Sequence, residues 1–293
     1  MSVAVPAIKL KRRRSWDGVL RWLRGDWRAA FALAYLAGLA MLAILAPVLA
    51  PYSPTDQNYD VMLLGPTAEH LLGTDDLGRD ILSRLIYGAP VSLYASVMAV
   101  FIGLVLGLPI GLCAGYFGGK VDLVISRIID TLLSFPGIVL AVGVTGALGI
   151  GMINSMIAVG IVFSPEIARL IRSQTLVVKN ELFVDAARGF GASTTRIMIR
   201  HILPNAVQPV IVQVTLLLAV ALLVEASLSF LGLGAQPPSP SWGAMLARAY
   251  GNMETAPEQM YPPGVAILVT ALAFNALGAS LRTALDPKLR HRD

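Results

Sequence analysis

Residues 152–205 read MINSMIAVGIVFSPEIARLIRSQTLVVKNELFVDAARGFGASTTRIMIRHILPN, and the fold turns on whether this stretch crosses a membrane and where it stops. Its first dozen residues, 152–163, are apolar but too short to cross, because a bilayer core of about 30 Å takes about 20 residues of helix. The segment reaches that length only by running on through Pro165 and Glu166 to Leu170. Beyond Arg172 the chain is too polar to cross and too helix-prone to be slack. Asn180 can cap a first short helix running through Ala187, Gly189 and Gly191 can end it, Ser193 can cap a second, and Pro204 punctuates the return to apolar sequence. Two short helices bent at Gly191 are expected. Ala186 and Ala187 leave the first without bulk on one face, and Gly191 permits backbone angles that a side chain disfavours. A close-approach docking surface and an ordinary well-capped connection both fit this pattern.

The rest of the chain decides the doubtful span. Of 293 residues, 56% are hydrophobic and 14% charged, with a mean hydropathy of +0.69. Soluble domains carry about 25% charge, so an all-α integral membrane protein is expected. Apolar runs place spans at residues 29–50, 91–112, 128–148, 207–224 and 265–281, and the 152–170 segment makes six. Lys and Arg collect on the cytoplasmic side of membrane proteins. With six spans and the N-terminus inside, 20 of the 23 Lys and Arg fall on that side, the exceptions being Arg79, Arg84 and Arg248. The expected layout is a basic cytoplasmic segment 1–28, a first span 29–50, an external loop 51–90, a five-helix body 91–281 holding a cytoplasmic loop 171–205, and a cytoplasmic tail 282–293. The first apolar run is too long and too far from the start for a cleaved signal, so a retained anchor is expected. Before it, Trp16, Val19, Leu20, Leu23 and Trp27 recur at helical spacing among arginines, which fits either a helix lying in the interface or a basic tail.

Several chemistries are disfavoured. The single cysteine, Cys113, permits neither an intramolecular disulfide nor a multi-thiolate metal site. His70, His201 and His291 are scattered through the chain. The nearest approach to a phosphate-binding loop, residues 115–121, lacks the required first glycine and the hydroxyl after Lys120. Within the spans, a charge at mid-bilayer costs about 2.5–3.5 kcal/mol on insertion scales, so Asp130 and Glu225 need reasons. Asp130 fits an interfacial salt link to Arg127 or a place on a polar pathway. Glu225, followed by Ser227 and Ser229, fits a pathway or gate position or packing against a neighbouring helix. Pro136, in Ser134-Phe135-Pro136, is expected to kink the third span and turn backbone toward the interior.

The string DAARGFGASTTRIMIRHILPN at 185–205 resembles the signature of permease subunits of bacterial ABC importers: Glu-Ala-Ala, three residues, Gly, nine residues, Ile, one residue, Leu-Pro. Asp185, Ala186, Ala187, Gly191, Leu203 and Pro204 fall at that spacing. Asp185 stands for the usual Glu, and His201 stands where Ile is commonest. GTDDLGRD at 73–80 with Ser83-Arg84, EASLSFLGLG at 225–234 with residues 237–242, and DPKLR at 286–290 narrow the resemblance to the C-type subunit of the dipeptide, oligopeptide and nickel group. Pro90 stands where these relatives often have Arg. The resemblance implies the type I ABC importer permease fold with six transmembrane helices in a bacterial inner membrane. It also implies that a loop built on Asp185, Ala186, Ala187, Gly189, Gly191, Leu203 and Pro204 docks in a cytoplasmic ATPase. The implied partners are a second permease subunit forming a heterodimer, two cytoplasmic ATP-binding subunits that use ATP and Mg, an external solute-binding protein and membrane lipid. No cofactor is expected on this chain, and no nucleic acid as a partner. Asp130, Ser134, Pro136, Glu225 and Ser227 are the candidate pathway or gate residues. Di- or oligopeptides are the first expectation for cargo, with nickel, glutathione or another small solute as alternatives. The rivals from other classes are a stand-alone secondary transporter and a membrane enzyme using Asp130 and Glu225 as acid and base.

Overall fold

The computed structural model describes residues 26–285, which are helical apart from their connections and one isolated bridge between Thr74 and Asp80. The amphipathic pattern over residues 16–25 and the terminal string 286–290 lie outside the described residues.

Helix α1, Trp27–Ile44, starts where Asp26 accepts hydrogen bonds from the backbone N–H of Arg28 and Ala29. It ends earlier than expected, because Pro47 opens a separate short turn, Ala46–Leu49. Helix α2, Ile81–Phe117, begins ten residues before the expected span and runs for 37 residues. The early start is a capping effect: the Asp80 carboxylate takes the Ser83 N–H at 2.7 Å and holds the first turn. Pro90 and Pro109 lie inside α2 without ending it. In an apolar surrounding a freed carbonyl gains nothing by leaving the helix, so a proline there costs one hydrogen bond and not the helix.

The third expected span is two helices, α3 (Gly119–Leu133) and α4 (Gly137–Leu148), bent by 95° at residues 134–136. Pro136 disfavours helical angles at Phe135, which ends α3, and Pro136 itself then heads α4. The doubtful span is present and long: α5, Met152–Val178, has 27 residues and passes through Pro165, Glu166 and Arg172 without a break. Helix α6, Leu182–Gly189, follows, then a wound segment 194–206, α7 (Gln208–Phe230), α8 (Trp242–Gly251) and α9 (Tyr261–Leu285). Among the described residues five helices are long and apolar enough to cross a membrane, and six spans result if the bent pair α3–α4 counts as one.

The main seam of the body joins α2 to α5. Gly103, Gly107, Gly111 and Gly115 recur every four residues along α2 and turn toward α5. A Cβ on Gly111 would stand 2.2 Å from the Ala168 carbonyl oxygen, and one on Gly107 would stand 2.7 Å from that of Ser164. Lipid tails are as apolar as leucine, so helices in a bilayer associate through close backbone packing, which small residues at this spacing permit. Around the seam, Ala95, Ala99, Met156, Val159, Phe163 and Ile167 are buried together. The outer side of α2 leaves Tyr94, Val97, Phe101 and Val105 exposed, as a lipid-facing surface requires.

Candidate functional site

Within the 179–206 connection, α6 turns one buried residue inward. Val184 of α6 is fully buried with Ile197, Met198 and Ile202 of the following segment and with Ile171 and Val178 of α5. The opposite face of α6 and its C-cap residue are apolar and uncovered: Leu182 is 86% exposed, Phe183 43% and Phe190, at the C-cap, 92%. The two alanines divide the work. Ala186 is exposed on the outer face, whereas Ala187 packs against the buried cluster. Asp185 and Arg188 form an exposed ion pair at 2.9 Å, and the Arg188 guanidinium also stands 5.9 Å from the centre of the Tyr116 ring.

The caps differ from expectation at one end and match it at the other. Glu181, not Asn180, holds the N-cap position and makes no side-chain cap bond. The Asn180 amide instead donates to the Leu176 carbonyl at 3.0 Å and closes the end of α5. Gly189 completes α6 in open space, and the bend falls at Gly191, whose φ of +77° is costly for any residue with a Cβ. Ser193 then caps the next segment through the Arg196 N–H. Pro204 makes no break, contrary to the expected punctuation. Residues 197–202 are wound as a π-helix, with the Leu203 N–H reaching back five residues to Met198, and Leu203 and Pro204 open the α-turn that follows. Proline offers no N–H to the carbonyl four residues back, and the wider π winding just upstream accommodates that loss.

The candidate pathway residues separate into two groups. Asp130 does not pair with Arg127. Its partner is Arg169 of α5 at 2.8 Å, and the two side chains are 55% and 59% exposed. At the α3–α4 break Ser134 and Pro136 are exposed, with the Ser134 hydroxyl donating to the Thr131 carbonyl. Glu225 is enclosed. It accepts a hydrogen bond from Ser229 at 2.7 Å, and the hydroxyls of Ser92 and Ser241 face the same carboxyl. Ser92 also takes the Trp242 N–H, and the Trp242 indole N–H donates to the Leu85 carbonyl. This geometry favours the packing alternative for Glu225, which fastens the start of α8 to α2 and α7. Ser227 turns away and bonds to the Leu223 carbonyl. Asp130 and Glu225 thus lie in separate settings, and the structure does not assemble them as an acid–base pair.

Sequence reading passed over a second set of charges on α5. Gln213 of α7 donates to Glu166 at 2.7 Å, and Arg172 pairs with Asp122 of α3. With Asp130, Ser134 and Arg169 they form a polar strip shared by α3, α5 and α7. The signal was a carboxylate, Glu166, standing inside an apolar run.

The opposite end of the body is locked by charges. Asp75 binds Arg79 at 2.6 Å and approaches Arg84 at 3.5 Å, Asp76 holds Arg248 at 2.8 Å, and Gln259 donates to the Thr74 carbonyl at 2.8 Å. These bonds tie the 51–80 loop to α2, α8 and the short turn Pro257–Met260 that leads into α9. The GTDDLGRD string is therefore a structural clamp within the subunit.

Among the described residues, a bundle with five helices long and apolar enough to cross a membrane, and six spans if the bent pair counts as one, defines the class of multi-pass helical membrane proteins. The chain belongs to the family described as binding-protein-dependent transport system inner membrane component, which it matches over residues 107–291, and residues 15–66 match the N-terminal TM domain of oligopeptide transport permease C. It is 46% identical over 289 residues to the glutathione transport system permease protein GsiD of Escherichia coli, an alignment covering 98% of this chain and 95% of that relative. The GsiD protein of Shigella boydii matches to the same extent. Two inward-facing structures of the MetNI methionine ABC transporter align with TM-scores of 0.54 and 0.56 at 22% identity, over 70% of this chain and 97% of theirs, which is a likeness of fold alone. The chain is an ABC importer permease of the oligopeptide and dipeptide group, with the all-α, type I permease fold.

Proposed function

We propose that this permease forms one half of the membrane channel of an importer for di- or oligopeptides, and that α6 is the element through which ATPase subunits drive it. The observation that carries the reading is the uncovered face of Leu182, Phe183 and Phe190 on a helix whose other side, Val184, is anchored among the spans. Burying a large apolar side chain is worth about 1.5–3 kcal/mol, so a cleft that accepts two of them gains enough to hold the helix through a working cycle. The basic bias of the sequence supports a cytoplasmic location for this loop and for both termini. A second permease subunit completes a heterodimer, two ATP-binding subunits hold ATP and Mg, and an external solute-binding protein delivers cargo. This chain itself holds no cofactor. When ATP closes the ATPase pair, force on α6 passes through Ile197, Met198 and Ile202 to α2 and α5, which share the same buried cluster.

A second reading, import of glutathione through the same machinery, is favoured by the 46% identity to permeases named for glutathione transport. The test is reconstitution of the chain with its partners in proteoliposomes. Binding protein loaded with peptide or with glutathione should stimulate ATP hydrolysis and uptake, and competition between the two cargoes ranks the readings. Exchanging both Leu182 and Phe190 for Asp should abolish capture of the ATPase subunits. Undiminished capture and coupling in that variant would overturn the role of α6.

A further inference from the structure

We propose that Glu166, held by Gln213, is a cation-recognising residue of the translocation pathway that takes the ammonium group of passing cargo; this rests on the importer reading above. Three carboxylates stand on the polar strip shared by α3, α5 and α7, and two of them are neutralised inside the subunit: Asp130 by Arg169 and Asp122 by Arg172. Glu166 is not. Its partner is the neutral amide of Gln213 at 2.7 Å, and among the described residues no basic group forms an ion pair with it. Arg169, one turn further along α5, is engaged with Asp130.

Glu166 nevertheless lies within a 27-residue helix that qualifies as a membrane span, and its side chain is exposed. An ionisable group in a span is costly against lipid and faces a water-filled cavity or a compensating charge. The surroundings favour the cavity. The α3–α4 break is close by: Gly137 lies against Val162, one turn from Glu166. Broken backbone at membrane depth is tolerated where it lines water or is covered by protein, and here residues 134–136 are exposed in the subunit. Three helices thus turn polar groups to one strip, on which Glu166 is the carboxylate that no ion pair among the described residues neutralises. Peptides and glutathione both carry a free ammonium, the complement of that charge.

The test uses the assembled transporter in proteoliposomes, with Cys113→Ser to remove the native thiol and Gln213→Cys as a reporter beside Glu166. Two methanethiosulfonate reagents are compared, one carrying a trimethylammonium group and one a sulfonate. With each rate divided by that of the same reagent with a free small thiol in solution, the cation should label roughly tenfold faster than the anion, the ratio expected when one unit charge about 6 Å away acts with opposite sign on the two reagents through water. Glu166→Gln should bring the ratio close to one, and turnover with loaded binding protein should slow labelling. Ser134→Cys, on the same strip, serves as a second reporter if Gln213→Cys does not assemble. Absence of labelling at both positions, or a ratio indifferent to Glu166→Gln, overturns the assignment; the latter result is the one expected if a basic residue of the second permease neutralises Glu166. Stimulation of ATP hydrolysis by loaded binding protein is measured on the Cys113→Ser background in parallel. Its loss would defeat the importer reading, whereas its retention without labelling would defeat only the role of Glu166.

Discussion

The two ends of this molecule are built on opposite principles. At the end that carries the 51–80 loop, Asp75, Arg79 and Arg84 are almost wholly buried, Asp75 holding both arginines and Arg84 also donating to the Pro54 carbonyl. At the other end α6 hangs on one buried valine, and its largest apolar side chains point outward. Charge buried and bonded within one subunit fixes geometry, because moving any member strands the others in a low dielectric. Apolar surface left uncovered fixes nothing by itself and becomes useful when a second surface covers it. Under the proposed docking of ATPase subunits on α6, the difference assigns the two ends their work: one is the frame, and the other the handle.

The largest effect should come from breaking the frame. Asp75→Ala leaves Arg79 and Arg84 buried without their shared carboxylate, and losing one partner of a buried pair costs about 3–5 kcal/mol. The measurement is folded yield and the thermal unfolding midpoint of the purified subunit; an unchanged midpoint would mean that the clamp is ornamental. The handle should respond in the contrary way. Leu182→Ser with Phe190→Ser should leave the unfolding midpoint nearly unmoved, since exposed positions usually change stability by less than about 0.5 kcal/mol. The same pair should cut capture of the ATPase subunits by more than about tenfold, because roughly 1.5–3 kcal/mol of apolar burial per side chain is removed. A third change tests what links the two ends. Gly111→Ala puts a methyl group against the Ala168 carbonyl, where helix backbones must separate to admit it, at a cost of about 1–3 kcal/mol. Lowered stability with intact ATPase capture is the expected outcome, read by melting and by copurification.

The same contrast explains what the sequence could and could not reveal. The spans were legible because hydropathy averages over 20 residues, and the short run at 152–163 was rescued by charge counting, which reads the whole chain at once. The loop 182–206 was legible in its residue spacing. Helix ends were not: α2 begins at Ile81 because Asp80 caps it and Asp75 neutralises Arg84, and both conditions depend on a folded loop. Glu225 and Glu166 look alike as carboxylates in apolar runs, yet one is enclosed by serines and the other exposed beside a glutamine. Only neighbours distant in sequence separate them. The glycine row on α2 was visible as a period of four, but its meaning required knowing that α5 lies against it. Which face of α6 turns outward was likewise hidden, because Val184 is buried by residues of α5 that precede it and by the 197–202 segment that follows it.

The smallest expected effect is also the one that best sharpens the account of the handle. Arg188 and Asp185 are partners three residues apart on a helix surface, with side chains 43% and 59% exposed, and such pairs contribute about 0.2–0.5 kcal/mol. Arg188→Gln should therefore shift the unfolding midpoint barely at all. If the pair serves only to keep α6 helical, ATPase capture should fall by no more than about twofold, the equilibrium equivalent of that energy. A larger loss in capture, with the midpoint unmoved, would make Arg188 a direct docking contact in place of a helix brace. Asp185→Glu separates the two roles further, because the longer side chain keeps the charge and can still reach Arg188. Capture equal to the unmodified chain is expected for Asp185→Glu, and a marked loss would mean that the partner surface reads the length of the side chain at this position as well as its charge.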